Sequence, residues 1–199
     1  MPRYLAFFKP YEVLSQFTDT AGRTTLKDFI LVPGVYAAGR LDYRSEGLLL
    51  LSDDGLLIQH LTDPRFEHTK TYLVQVEGVI TTEATDRLNQ EIVLPEIQTR
   101  LPQVEVISEP DLPPRSKPVR NYHPTTWLKI VLQEGKKHQV RRMTAAVGFP
   151  TLRLVRVAIG SLTLGDLQPG QWRILSKEEI RHLKDLTGQK RNPDLWRSP

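Results

Sequence analysis

Apolar residues come in short runs, continuous or alternating, and turns separate them. Tyr4 to Phe8 form an unbroken apolar run that Lys9-Pro10 closes, as expected of a buried strand over residues 3–8. TDTAGR (18–23) reads as a turn, and Leu26, Phe29 and Ile30 recur at helical spacing until Pro33-Gly34. Val35 to Ala38 is a short strand entering Gly39-Arg40-Leu41-Asp42. Residues 47–51 are another, bounded by Gly47 and Asp53-Asp54-Gly55. Asp54 can cap a helix that carries Leu56, Leu57 and Leu61 and stops at Pro64. KTYLVQVEG (70–78) alternates, with Tyr72, Val74 and Val76 on one face. Ala84, Leu88 and Ile92, spaced by four, predict an amphipathic helix over 82–94.

Residues 101–107 and 127–132 read as strands on either side of a stretch, 109–125, whose five prolines predict an irregular loop. Gly135 breaks the second of these strands. A helix follows over 138–147, with Val140, Met143 and Val147 as its buried stripe, and Gly148 and Pro150 end it. Strands are expected at 152–164 and 172–175. Ser176 with Glu179 forms a capping box for a last helix, and the chain after Gly188 reads as a frayed tail. This irregular alternation predicts an α+β fold with a mixed, mostly antiparallel sheet in two lobes. The lobes cover about 1–66 and about 67–175 of one unit spanning 1–187, with 188–199 a flexible tail.

Charge adds a partner to this picture. The 199-residue chain has a net charge of +4. Between Arg115 and Arg156 stand ten Lys or Arg and the single acid Glu134, a local +9 that leaves −5 for the rest. A basic segment in an otherwise acidic chain suits a polyanion. With no cysteine there are no disulfides and no thiolate metal sites. The five histidines show no recognised ligand spacing, so no metal is expected. No apolar run reaches the length of a membrane span, and the opening MPRYLAFFKP is too short for a signal peptide. The expectation is a cytoplasmic protein with no membrane partner, acting as a monomer.

Three constellations could carry chemistry. Asp42 follows a buried strand beside Arg40. It reads locally as a turn residue, and equally as a loop carboxylate placed for catalysis. Tyr72 begins its strand, where it either joins the core or lines a cleft. In EGKKHQVRRM (134–143), cations crowd the N-terminal turn of a helix, the end whose dipole favours an anion. RNA phosphate or a carboxylate from elsewhere in the fold would meet that need.

In this order and at these intervals the three segments resemble the RsuA/RluB/RluE/RluF group of pseudouridine synthases. GRLDYRSEGLLLLSDDG is similar to the active-site segment of that group, with its aspartate at Asp42. KTYLVQVEG is similar to the second motif, with a tyrosine at Tyr72. EGKKHQVRRMTAAVGFPTLRLVRVAIGSLTLGDLQPGQWRIL is similar to the third, with an arginine at Arg141. The likeness runs from about Arg3 to Leu175. Ser45 stands where the group usually has threonine. Many members begin with a small RNA-binding head, which is expected to be absent here, as in the branch that modifies large-subunit ribosomal RNA.

The resemblance implies the pseudouridine synthase fold, with its active site in the cleft between the lobes. It implies isomerisation of a uridine in RNA, most of all ribosomal RNA, without cofactor or metal. Asp42 would be the nucleophile, at the sugar or at the base, Arg141 its charge partner, and Tyr72 a face for the uracil. Arg40, Lys70, Arg115, Lys117, Arg120, Lys136, Lys137, His138, Arg142, Arg153 and Arg156 would bind the RNA. The alternative is a non-catalytic RNA-binding or ribosome-assembly protein with the same fold.

Overall fold

A computed structural model describes residues 2–66, 68–94, 97–99, 101–119 and 122–186. The expected tail and Arg120 lie outside the described residues. Strand β1 (Tyr4–Lys9) is buried along its whole length, Lys9 included. Strand β2 (Tyr36–Ala37) and strand β3 (Glu46–Ser52) flank the Asp42 loop. Helix α1 (Gly55–Thr62) follows, and the Asp54 carboxylate accepts from Leu57 N at 3.1 Å, as a capping aspartate should. Strand β4 (Lys70–Glu77) shows the alternating burial that its sequence announces.

Helix α2 (Thr82–Leu88) is shorter than the four-residue spacing predicts. The Asn89 side chain leaves the helix and bonds both backbone groups of Val104, at 2.7 and 3.0 Å, so the chain turns towards a strand instead of adding a turn. The last two residues of the expected helix form strand β5 (Val93–Leu94), which pairs antiparallel with β6 (Ile97–Gln98). Likewise, residues 26–28 form one 3-10 turn and not a longer helix.

Strands β7 (Gln103–Ile107) and β8 (Thr125–Leu132) enclose the proline-rich loop. Helix α3 (Gln139–Ala146) leads to the long β9 (Thr151–Ile159). Then come β10 (Leu162–Thr163), β11 (Trp172–Ile174) and helix α4 (Lys177–Leu186). The capping box of α4 is present: Glu179 N donates to Ser176 Oγ and Ser176 N to the Glu179 carboxylate.

Nine of the described strands form one sheet in the order β11-β1-β3-β9-β4-β8-β7, with β2 on β3 and β10 on β9. Every pairing is antiparallel except β3–β9. The β11 strand, expected in the second lobe, pairs with β1, and Leu175 and Leu183 join the core of the first half. The two halves share the sheet through a narrow seam. β9 pairs with β4 from Thr151 to Ile159, but meets β3 only at Glu46↔Val155 and Gly47↔Arg156. Gly47 (φ 106°) permits the approach, because a Cβ there would lie 2.2 Å from the Arg156 carbonyl oxygen. The buried Arg153–Glu46 pair, with contacts of 2.9 and 3.1 Å, ties β9 to β3 at the same level. Among the described residues, no helix is long and apolar enough to cross a membrane.

Candidate active site

A cavity of about 800 Å³ opens where the seam widens, and both halves line it. Asp42 lies on its first wall, in the loop between β2 and β3. Four contacts hold this loop. Gly39 (φ 88°) makes the turn out of β2. The buried Ser15 hydroxyl donates to Leu41 O at 2.8 Å and accepts from Leu41 N at 3.1 Å. Glu12 N donates to Tyr43 O at 2.9 Å. Arg141 Nη2 donates to Arg44 O at 2.7 Å, while its Nη1 reaches Thr151 O at 3.2 Å. Leu41 packs into the core beside Asp42, so the backbone is fixed while the carboxylate stays about one-third exposed.

The opposite wall is the loop from β8 to α3. Gln139 is buried and organises it: its amide nitrogen donates to Glu134 at 2.5 Å, and its oxygen accepts from Lys136 N at 3.1 Å. His138 is left in the left-handed region (φ 53°, ψ 24°), unusual for a non-glycine residue. Its Nε2 stands 3.4 Å from Asp42 Oδ1. Strain of this kind persists where surrounding contacts over-determine it, commonly at functional sites.

The floor comes from β4 and β9. Tyr72, Lys70 and Arg156 all border the cavity, and Tyr72 and Arg156 are register partners. Lys70 Nζ donates to His68 O at 3.0 Å. Burial, and then the charge of Arg156, bring the Lys70 ammonium down to about 8, with Glu134 opposing. Beneath the Asp42 loop, Lys9 is wholly buried and donates to Pro10 O and Val13 O at 2.8 and 2.7 Å. Burial brings it down to about 7, against the pull of Glu46 and Asp42.

The expected site residues therefore separate into groups. Asp42, Tyr72, Arg40, Lys70, Lys136, Lys137, His138 and Arg156 surround one cavity. Arg141 does not border it. Its guanidinium is occupied by two carbonyls, so the expected direct pairing with Asp42 gives way to a hold on the Asp42 loop. Burial lowers the Arg141 pKa, and Asp42 is the first group to oppose that shift.

Arg153 is buried on Glu46 and Pro113 O, which makes it a tie within the fold instead of the expected phosphate ligand. Arg115 lies over the Tyr11 ring at 4.1 Å and bonds Lys117 O and Leu152 O, and Lys117 reaches Glu12 at 3.7 Å. These two residues strap the proline-rich loop to the first half. Arg142 is half-buried on α3 and does not border the cavity. Sequence reasoning missed Lys9, Ser15 and Glu46. The one available signal was a lysine ending a fully apolar strand.

The arrangement can present a carboxylate to a flat polar molecule in a pocket whose mouth is cationic. Comparison with known proteins bears on which molecule that is. The sequence profile of a family described as RNA pseudouridylate synthase matches residues 3–146. A protein of Vibrio vulnificus (strain CMCP6) named ribosomal large subunit pseudouridine synthase E is 53% identical over 176 residues, covering 87% of this chain and 75% of that protein. One of the same name from Xanthomonas campestris pv. campestris is 53% identical over 178 residues, covering 87% and 95%. A crystal structure of a pseudouridylate synthase superposes with a TM-score of 0.79 at 28% identity, covering 92% of this chain and 74% of the other. Profile, relatives and fold agree, and the chain belongs to the RNA pseudouridylate synthase family, enzymes that isomerise uridine in RNA.

Proposed function

We propose that this chain converts a specific uridine of large-subunit ribosomal RNA to pseudouridine, acting as a cytoplasmic monomer, with Asp42 as the nucleophile. The observation that carries this reading is the Asp42 carboxylate on the wall of a cavity of about 800 Å³, roomy enough for a whole nucleotide, whose rim is cationic. The target class follows from relatives at 52–54% identity that are named ribosomal large subunit pseudouridine synthase E.

A uridine inside a helix is out of reach, so the nucleotide must leave its stack to enter the cavity. Arg40, Lys136 and Lys137, exposed at the mouth, hold backbone phosphates. Tyr72 offers a face to the uracil. The Asp42 carboxylate acts as the covalent catalyst while the glycosidic bond moves from N1 to C5 of the base. The C5 proton is lost and N1 gains one, so substrate and product have the same composition and no redox partner or group donor is required. Arg141 and Ser15 position the loop that carries Asp42.

The test is pseudouridine mapping by carbodiimide-stop sequencing on unmodified large-subunit RNA treated with purified protein. The wild-type chain should create a stop at one uridine. Asp42→Asn should create none and bind the RNA almost as well. A wild-type protein that forms no pseudouridine sinks the proposal.

A further inference from the structure

Arg153 and Arg156 lie three residues apart on β9, and both are buried. Arg153 has a carboxylate partner, Glu46. Arg156 has none within 4 Å among the described residues. Its Nε donates to Leu48 O at 2.8 Å, which fixes the guanidinium, and its Nη2 is buried with no hydrogen-bond partner. An unpaired buried guanidinium is costly to a fold, and each such group calls for an explanation. Ser45 Oγ is a second buried atom without a partner, and it too belongs to a residue bordering the cavity. The third among the described residues, Trp127 Nε1, belongs to a residue away from it. Lys70, the neighbouring cation, donates to the His68 carbonyl. The floor of the cavity is thus rich in donors and short of acceptors.

The register places Arg156 between the two halves, opposite Gly47 on β3 and opposite Tyr72 on β4. At 4% exposure it is beyond the reach of a backbone that stays at the mouth with Arg40, Lys136 and Lys137. What enters this far is the base. We propose that Arg156 is a catalytic residue that donates to a carbonyl oxygen of the extruded uracil and holds the negative charge the base carries during isomerisation. This rests on the reading that Asp42 acts on a uridine.

The electron count gives that donor a task. When the Asp42 carboxylate bonds to C1′, the C1′–N1 pair leaves with the uracil and spreads over N1, O2 and O4. The turned uracil then gives a pair from C5 to C1′, the carboxylate leaves with its own pair, the C5 proton departs and N1 is protonated. Addition of Asp42 to C6 would instead push a pair through C5 onto O4, so O4 carries charge by either route. Turning uracil about its N3–C6 axis exchanges O2 with O4 as it exchanges N1 with C5. A guanidinium fixed by Leu48 O therefore finds an acceptor before and after the turn. Cytosine offers an amino group in place of O4, so the same donor also disfavours the wrong base.

Single-turnover rates with saturating enzyme test this. Arg156→Gln should slow pseudouridine formation by roughly 10²-fold, the scale of losing one oxyanion donor. Its RNA affinity and the salt dependence of binding should not change, and Arg156→Lys should recover part of the rate. A second measurement needs no variant: wild-type protein is given RNA with 2-thiouridine or 4-thiouridine at the target, since sulfur is a weaker acceptor. At least one substitution should slow the reaction by about tenfold, and in Arg156→Gln it should add no further loss. Wild-type rates for the Gln variant, or for both thio substrates, overturn the proposal. So does a loss confined to affinity with the salt slope reduced by about one, which marks a phosphate contact. If Arg156→Gln does not fold, the thio substrates decide alone. Failure of wild-type protein to modify any uridine would remove the underlying function, whereas an active wild type with an unimpaired variant removes this assignment only.

Discussion

Residues 39–45 and residues 133–138 face each other across the cavity, and each leaves the end of a strand. The first loop is anchored in the core by Leu41 and clamped through its backbone by Ser15, Glu12 and Arg141. It presents one acid to the cavity and a single cation, Arg40, at its mouth. The second is organised by a single buried amide, Gln139, and leaves Lys136, Lys137 and His138 exposed. It presents cations on long, mobile side chains. A nucleophile gains from being held to within a fraction of an ångström, whereas phosphate charges on a flexible polymer are met well enough by side chains that can follow them. The contrast assigns position to one wall and most of the charge to the other.

Arg141→Ala strikes the contrast hardest, because it removes a clamp of the first wall with a residue that grows from the second. Losing the two charge-assisted hydrogen bonds, to the exposed Arg44 carbonyl and the part-buried Thr151 carbonyl, should cost about 1–3 kcal/mol of stability. The misplaced Asp42 should slow isomerisation at saturating RNA by roughly 10²-fold. Thermal melting and single-turnover assays would measure the two effects. A variant that loses RNA affinity alone would show that Arg141 belongs to the charge wall.

Lys9 offers a smaller, pH-dependent probe of the same wall. Its folded value, about 7, lies below the ordinary lysine value of 10.5. The folded state therefore binds fewer protons than the unfolded state between these values, and stability rises with pH across that window. The destabilisation is full below about pH 7 and is relieved as pH climbs towards 10. Lys70, lowered to about 8, adds to the slope in the upper part of the window. Melting temperature followed from pH 7 to 9.5 should rise in the wild type, and Lys9→Met should flatten much of that rise. An unchanged slope in the variant would place the titration elsewhere.

Lys137→Gln should have the smallest effect. It should weaken RNA binding a few-fold, lower the slope of log K against log salt by at most about 0.9, and leave the saturated rate intact. A fall in that rate would mean that the second wall also positions.

The local signals were legible in the chain. The Asp54 cap and the Ser176–Glu179 box need only neighbours a few residues away, and both are present. The alternation of β4 reports its own burial. Asp42, Tyr72 and the basic loop were found because their segments resemble a family, and the fold brings all three to one cavity. What could not be read depends on distant partners. Arg153 and Arg156 are equivalent in a basic stretch. Only Glu46, 107 residues away, makes one a structural tie and leaves the other at the cavity floor. The shortening of α2 turned on an asparagine whose amide found Val104, 15 residues on. The Arg141 guanidinium met a carbonyl of the Asp42 loop and not its carboxylate, a difference that no residue pattern encodes.

The place of β9 in the sheet also bears on how the protein is made. It lies between β3 and β4, strands synthesised long before it. During translation both can gather local partners, since β1 pairs with β3 and β4 with β8. The two halves nonetheless lack the strand that joins them until residues 151–159 leave the ribosome and pair on both sides. A nascent chain can carry Asp42 and Tyr72 in folded halves and still have no floor between them. The pocket is completed by nearly the last strand to arrive, so unfinished chains have no floor on which to seat a base.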